Sequence, residues 1–394
     1  MLFDPAVHEP LGDAAWSPAA AEAAIGSIAR DADEALRDGD WWPLHPLDDD
    51  GETADPQHGI YLGAAGVLWA LDHLARAGLH EPGHDYARLA GEALESHRRR
   101  PEVPDAAGSL WVGEAGIALV AWLLAPGPEL AGRLAELAVP APEGDTLELL
   151  WGSPGLLALA DAALARTGDP RWAAAWTAIA EDLIGRWGER VPHFWTQRLY
   201  GSEQELIGPA HGLAGIVAML ARRPELLPHD RLLPGALAAV ASTAIRDDGR
   251  ANWPPSLSES LVHRTGTIRT QWCHGAPGVV TSLAALPREA QLDALLLEGG
   301  ELTWASGPLI KGAGLCHGTA GNGFALLKLF TRTGDERWLA RARRFAAHAA
   351  AQVEADRRRH GRGRNTLWTG DLGVAIFLRQ CLAGASELPA IELW

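Results

Sequence analysis

Residues 314–330 read GLCHGTAGNGFALLKLF. A cysteine–histidine pair, Cys316-His317, stands directly before a Gly-x-x-Gly, Gly318 and Gly321, and an apolar run opens at Phe324. Working outward, the same phrase returns along the whole chain. Glycine pairs stand at Gly63/Gly66, Gly113/Gly116, Gly152/Gly155, Gly212/Gly215, Gly275/Gly278, Gly318/Gly321 and Gly370/Gly373. One Gly-x-x-Gly is a weak signal. Seven, at spacings of roughly 40 to 60 residues, have the length of a helical-hairpin repeat.

The runs that follow the glycines, such as 117–124 and 156–164, are apolar on nearly every side, which marks helices buried all round. Amphipathic helices lie between them. Ser17-Pro18 opens one that is expected to reach Leu36, with serine as cap and proline in the first turn. Thr167-Gly168-Asp169-Pro170-Arg171-Trp172 recurs as Thr333-Gly334-Asp335-Glu336-Arg337-Trp338, and polar-faced helices are expected over 172–184 and 338–353. Buried and half-exposed helices thus alternate. The arrangement that closes such a set is an all-α (α/α)7 toroid, seven inner helices within seven outer ones. Glycines at the inner helix starts let a loop pass close and leave backbone N–H groups free, and the seven motifs gather at one end. Short hairpins have room only in 191–200 and 247–255. The segments 37–56, 124–128, 139–145 and 383–389 read as connections, so residues 1–394 are expected to form one domain.

Bulk properties exclude several function classes. Hydrophobic residues make up 47% of the 394, enough for a large core, and the formal charge of −16 argues against a nucleic-acid partner. Nearly all the positive charge is arginine, and the only lysines are Lys311 and Lys328. Three cysteines, two of them beside histidine, fit a reducing, cytoplasmic compartment and a metal better than a disulfide framework. The N-terminus lacks the pattern of a signal peptide, and the longest apolar run, 116–125, is too short to span a bilayer. A monomer is expected.

Aligned on the first glycine, the preceding residues are Leu62, Val112, Trp151, His211, His274, His317 and Thr369; one position earlier stand Tyr61, Trp111, Leu150, Ala210, Cys273, Cys316 and Trp368. Histidine fills one slot in three consecutive units and cysteine fills its neighbour in two. In a ring these side chains share one opening. Two thiolates and an imidazole suit Zn2+, and three protein ligands leave a fourth position open, as in catalytic sites. Ligands from adjacent units select Cys273, Cys316 and His317, which leaves His274 to face the substrate or support the ligands. A single Cys-His pair reads as a buried thiol beside a hydrogen-bonded histidine; two pairs in register do not. Cys381, flanked by apolar residues, reads as a core cysteine.

The phrases WCHGAPGV at 272–279, GLCHGTAGNG at 314–323 and AHGLAGI at 210–216 resemble the lanthionine synthetase C-like family, most closely its eukaryotic-type LanC-like branch. The resemblance spans nearly the whole chain and includes the ending 388–393. It implies an (α/α)7 toroid with zinc at its mouth, held by Cys273, Cys316 and His317. It also implies His211 as general acid/base, Arg269 as a catalytic arginine, and Lys311 as a glutathione-binding lysine. Where the bacterial cyclases have a tyrosine after the first zinc cysteine, this chain has His274; where they have a catalytic aspartate, it has Glu148. The implied chemistry is Michael addition of a thiol to a dehydroamino acid. In the LanC-like branch the thiol is glutathione and the acceptor is dehydroalanine or dehydrobutyrine in a peptide or protein.

Other readings stand beside this one. A lanthionine cyclase would close thioether rings in a dehydrated precursor peptide. A zinc-containing module could bind a peptide or kinase without catalysis. A sugar-active toroid needs a carboxylate pair near its axis and gives no reason for two Cys-His pairs. His211 could simply bond a loop carbonyl, Arg269 and Lys311 could be solvated cations, and Glu148 could serve a helix N-terminus. The arginine-rich run 357–364 reads as a solvated loop, or else as an anion site for glutathione carboxylates or an acidic peptide.

Overall fold

A computed structural model describes residues 1–36, 41–51, 53, 56–140, 146–199, 201–258 and 268–394. Among them are fourteen α-helices in two sets. The inner set is α2 (Ala64–Arg76), α4 (Glu114–Leu124), α6 (Ser153–Thr167), α8 (Leu213–Leu220), α10 (Ala276–Leu283), α12 (Thr319–Thr333) and α14 (Asp371–Ala383). The outer set is α1 (Pro18–Glu34), α3 (Tyr86–Arg99), α5 (Pro128–Leu137), α7 (Pro170–Gly185), α9 (Leu233–Thr243), α11 (Ala290–Ser306) and α13 (Glu336–His360). Each inner helix packs on the next and α14 packs on α2, so the inner ring closes; α1 lies against α14 and brings the start of the chain to its end. The expected (α/α)7 toroid is the observed fold.

Burial follows the pattern that the sequence sets. In α4 every residue from Glu114 to Leu123 is buried, whereas α3 buries only one stripe, including Leu89, Ala93 and Leu94. A helix without a polar face has no place except between the outer ring and the axis. No helix among the described residues is long and apolar enough to cross a membrane.

The glycine pairs are a steric requirement. In all seven units a Cβ on the second glycine would overlap the carbonyl oxygen six residues upstream, as Gly321 would overlap Leu315 and Gly278 would overlap Trp272. The loop before each inner helix folds back over the helix start. One expectation fails here. The helix-opening N–H groups are not free: Ala64 donates to Gln57, Leu213 to Leu206 and Thr319 to Gly312, at 2.9–3.1 Å. The loop's own carbonyls satisfy donors that a ligand could otherwise take.

These loops also bond to one another round the ring. The Cys273 N–H donates to the Cys316 carbonyl, Cys316 to Trp368, Trp368 to Tyr61, and Tyr61 to Trp111. All five residues occupy the slot two before the first glycine. The backbone belt holds that slot in register, so side chains far apart in sequence converge.

Element boundaries differ modestly from expectation. The first helix ends at Glu34 rather than Leu36. Among the described residues are two antiparallel hairpins, Gln197–Leu199 with Ser202–Gln204 and Ile245–Asp247 with Arg250–Asn252. The first extends past the expected segment, and Tyr200 lies outside the described residues, as do 37–40, 52, 54–55 and 141–145 from the expected connections. The helix expected to end at Val353 continues to His360, capped by Gly361 in the left-handed region. That extension takes up the first half of the arginine-rich run, so the solvated-loop reading is corrected. Arg357 turns inward beside Asp371 and Asp31. Arg362 donates to the Leu44 carbonyl, and buried Arg364 pairs with Asp48. Arg358 and Arg359 are exposed.

Candidate metal centre at the toroid mouth

Cys273, Cys316 and His317 come together. Their ligand atoms all lie within 4.8 Å of one another, with both thiols buried and the imidazole partly open. Each comes from the loop that opens α10 or α12. The Gln271 amide donates to the Cys273 sulfur at 2.9 Å, and the Tyr61 hydroxyl hydrogen-bonds Cys316. Hydrogen bonds from Cys316 and His317 hold the Cys273 thiol well below its ordinary range, against the effect of burial. The bond to Cys273, burial and the adjacent negative charge push Cys316 well above it. Two thiols and an imidazole that converge in this way are a donor set that fits zinc.

His211 and His274 stand beside the thiols with ring centroids 6.1 Å apart. They are tuned in opposite directions. Burial lowers the His274 pKa, and the positive charges of His211 and Arg269 add to that. Burial also acts to lower His211, but the hydrogen bond and charge of Glu148, with the charge of Cys273, outweigh it and the pKa rises. Glu148 Oε2 lies 2.7 Å from His211 Nδ1. The Glu148 side chain is fully buried and also accepts from the N–H groups of Leu150 and Trp151. It therefore serves a turn and orients His211. Arg269 and Lys311 are both exposed; the charge of Arg269 is felt at His274 and that of Lys311 at Cys316. Cys381 lies far from this set in sequence, fully buried in α14 with its thiol pushed up by burial.

Trp111, Trp272 and Trp368 form the floor of the site. Their centroids are 4.2 Å (Trp111 to Trp368), 4.6 Å (Trp272 to Trp368) and 5.9 Å (Trp111 to Trp272) apart. Residues from the second, fifth and seventh units can meet only at the ring axis, so the indoles close it. Trp272 also lines a cavity of about 420 Å³, with Asp161, Arg222, Ile391 and Glu392. Tyr61, Gln271 and the tryptophan floor were not singled out by sequence reasoning. Tyr61 had a signal: it occupies the slot that holds Cys273 and Cys316 in their own units.

The profile of the lanthionine synthetase C-like protein family matches residues 51–393. The chain is 33% identical over 204 residues to glutathione S-transferase LANCL1 of Danio rerio, a match spanning 48% of this chain and 47% of that protein. It is 35% identical over 148 residues to LanC-like protein GCL1 of Arabidopsis thaliana, spanning 36% of this chain and 32% of that one. These matches span less than half the length of either relative. Among solved structures, nisin cyclase shares the fold with a TM-score of 0.59 at 17% identity, over 84% of this chain and 90% of its own. The slot-aligned cysteines and histidines, the closed double ring and the matching profile lead to one assignment: the chain belongs to the lanthionine synthetase C-like protein family.

Proposed function

We propose that this protein is a zinc-dependent enzyme that adds glutathione to dehydroalanine or dehydrobutyrine residues in peptides or proteins. The observation that carries the reading is the convergence of Cys273, Cys316 and His317 beside two histidines of opposite tuning. Cys273, Cys316 and His317 would hold the metal. Zinc bound there supplies a Lewis-acid charge that favours the thiolate form of the co-substrate.

The remaining work falls to the chain's own side chains. Lys311 and Arg269, exposed at the mouth, attract the glutathione carboxylates, and Arg269 offsets negative charge that builds on the acceptor's carbonyl. The thiolate forms a carbon–sulfur bond at the β-carbon while the π pair moves toward the α-carbon. His211 has Nδ1 committed to Glu148, so Nε2 carries the proton that the α-carbon receives. Glu148 acts through His211, as a positioning residue, and His274 remains neutral to face the substrate. The similarity to a protein named a glutathione S-transferase supports glutathione over an internal cysteine as the thiol. We take residues 1–394 as one domain, acting as a monomer in a reducing, cytoplasmic compartment; the three free cysteines support that location.

The test is the mass of a cysteine-free dehydroalanine peptide after incubation with glutathione and the zinc-loaded protein. A gain of one glutathione supports the reading. An unmodified peptide overturns it and leaves the cyclase and the non-catalytic zinc module as the remaining readings.

A further inference from the structure

We propose that His58, His97 and Glu102 form a second metal site, separate from the mouth, for a divalent transition metal such as zinc. One ligand atom from each residue lies within 4.8 Å of the other two. The three come from different parts of the first repeat: His58 from the loop that opens α2, His97 from the last turn of α3, and Glu102 from the connection after it. His97 Nδ1 lies 2.6 Å from Glu102 Oε2, and His58 Nδ1 meets the other carboxylate oxygen. Their rings are 6.3 Å apart at 72°, so the two nitrogens approach one point from different directions.

Two features separate this trio from an ordinary surface cluster. It is almost wholly buried, with side-chain exposures of 3% for His58, 5% for His97 and 4% for Glu102. A buried carboxylate is costly without a matching charge. Each oxygen of the Glu102 carboxylate meets one of the two imidazoles. Among the described residues no arginine or lysine pairs with it; the nearby Arg98 is engaged by Glu95 and Glu114. Second, the Trp41 ring walls the His58 imidazole, with ring centroids 5.9 Å apart; His58 Nε2, which points away from the carboxylate, has no hydrogen-bond partner among the described residues.

Two imidazoles and one carboxylate are a donor set that zinc and other borderline divalent metals accept. Burial gives substrate no approach, so the metal here is structural. It would tie the end of an outer helix to the loop carrying Tyr61, three residues after His58, and Tyr61 in turn hydrogen-bonds Cys316. The second site would thus brace one wall of the mouth.

The test leaves the trio intact. The full chain carrying Cys273→Ala and Cys316→Ala is loaded with excess zinc, desalted and assayed for bound metal. It is expected to keep one equivalent, and to lose it when His97→Ala is added. With cobalt in place of zinc it is expected to show visible d–d absorption without a thiolate-to-cobalt band. A folded double variant that binds no metal overturns the proposal and makes the trio a hydrogen-bonded clasp. Should the double variant fail to fold, the unsubstituted chain is titrated with cobalt. Two equivalents, only one adding the thiolate band, support the proposal; saturation at one overturns it.

Discussion

Glu148 and His211, 63 residues apart in sequence, meet at 2.7 Å at the toroid mouth, and the carboxylate is fully buried. The contact fixes which imidazole nitrogen faces outward and raises the pKa of His211 while His274 beside it is lowered. The two neighbouring histidines are thus shifted in opposite directions.

The first prediction concerns pH. His211 acts in its protonated form, and its pKa is raised above 6.5. Its contribution is therefore full below 6.5, persists above it, and is lost as pH rises through the raised value. Glu148→Gln removes the charge that raises it, so the high-pH fall in addition rate moves to lower pH. A pH–rate profile, with NMR titration of the His211 ring, checks this. An unchanged profile would remove Glu148 from the account.

His211→Ala should reduce the addition rate by about 10²–10⁴-fold, the usual contribution of a general acid, without changing bound metal. Cys273→Ala, by contrast, should lose one zinc equivalent together with the thiolate-to-cobalt band. Metal analysis and cobalt spectra of the two variants, measured side by side, separate the roles. Loss of metal from His211→Ala would show that the residue has been misplaced.

Lys311 is exposed and projects its charge onto the site. Lys311→Ala should raise the KM for glutathione by about tenfold, near 1.4 kcal/mol, with a smaller change in kcat. Initial rates against glutathione concentration give the split. An unchanged KM would make the lysine an ordinary surface cation.

The glycine pairs carry a stability prediction. Gly321→Ala places a methyl group into the Leu315 carbonyl, next to Cys316, and should cost at least about 1–3 kcal/mol. Gly132→Ala, in α5 with open space around it, should instead stabilise by about 0.5–1 kcal/mol. Urea unfolding of both variants measures the contrast.

Much of this was legible in the sequence because the repeat places residues in register. Once the glycines are aligned, Cys273, Cys316, His317, His274 and His211 fall into two slots, and the backbone belt through Tyr61, Trp111 and Trp368 turns slot into position. What escaped depended on side-chain reach. Glu148 aligned with a family carboxylate, but its bond to His211 depends on a loop conformation that spacing does not encode. Arg364 looked solvated because its partner, Asp48, lies 316 residues away. The helix-opening N–H groups looked free because the glycine pattern shows a loop passing close but not that its carbonyls accept from them. His58, His97 and Glu102 share no motif and are joined only by the packing of α3 against α2.

The most direct test of the central claim uses a peptide that carries both a dehydroalanine and a cysteine placed to reach it. The peptide is incubated with glutathione and the zinc-loaded protein, then read by mass and by thiol count. The peptide is expected to gain the mass of one glutathione with its cysteine still free. An unchanged mass with loss of the free thiol, the signature of ring closure, would contradict this and make the protein a cyclase.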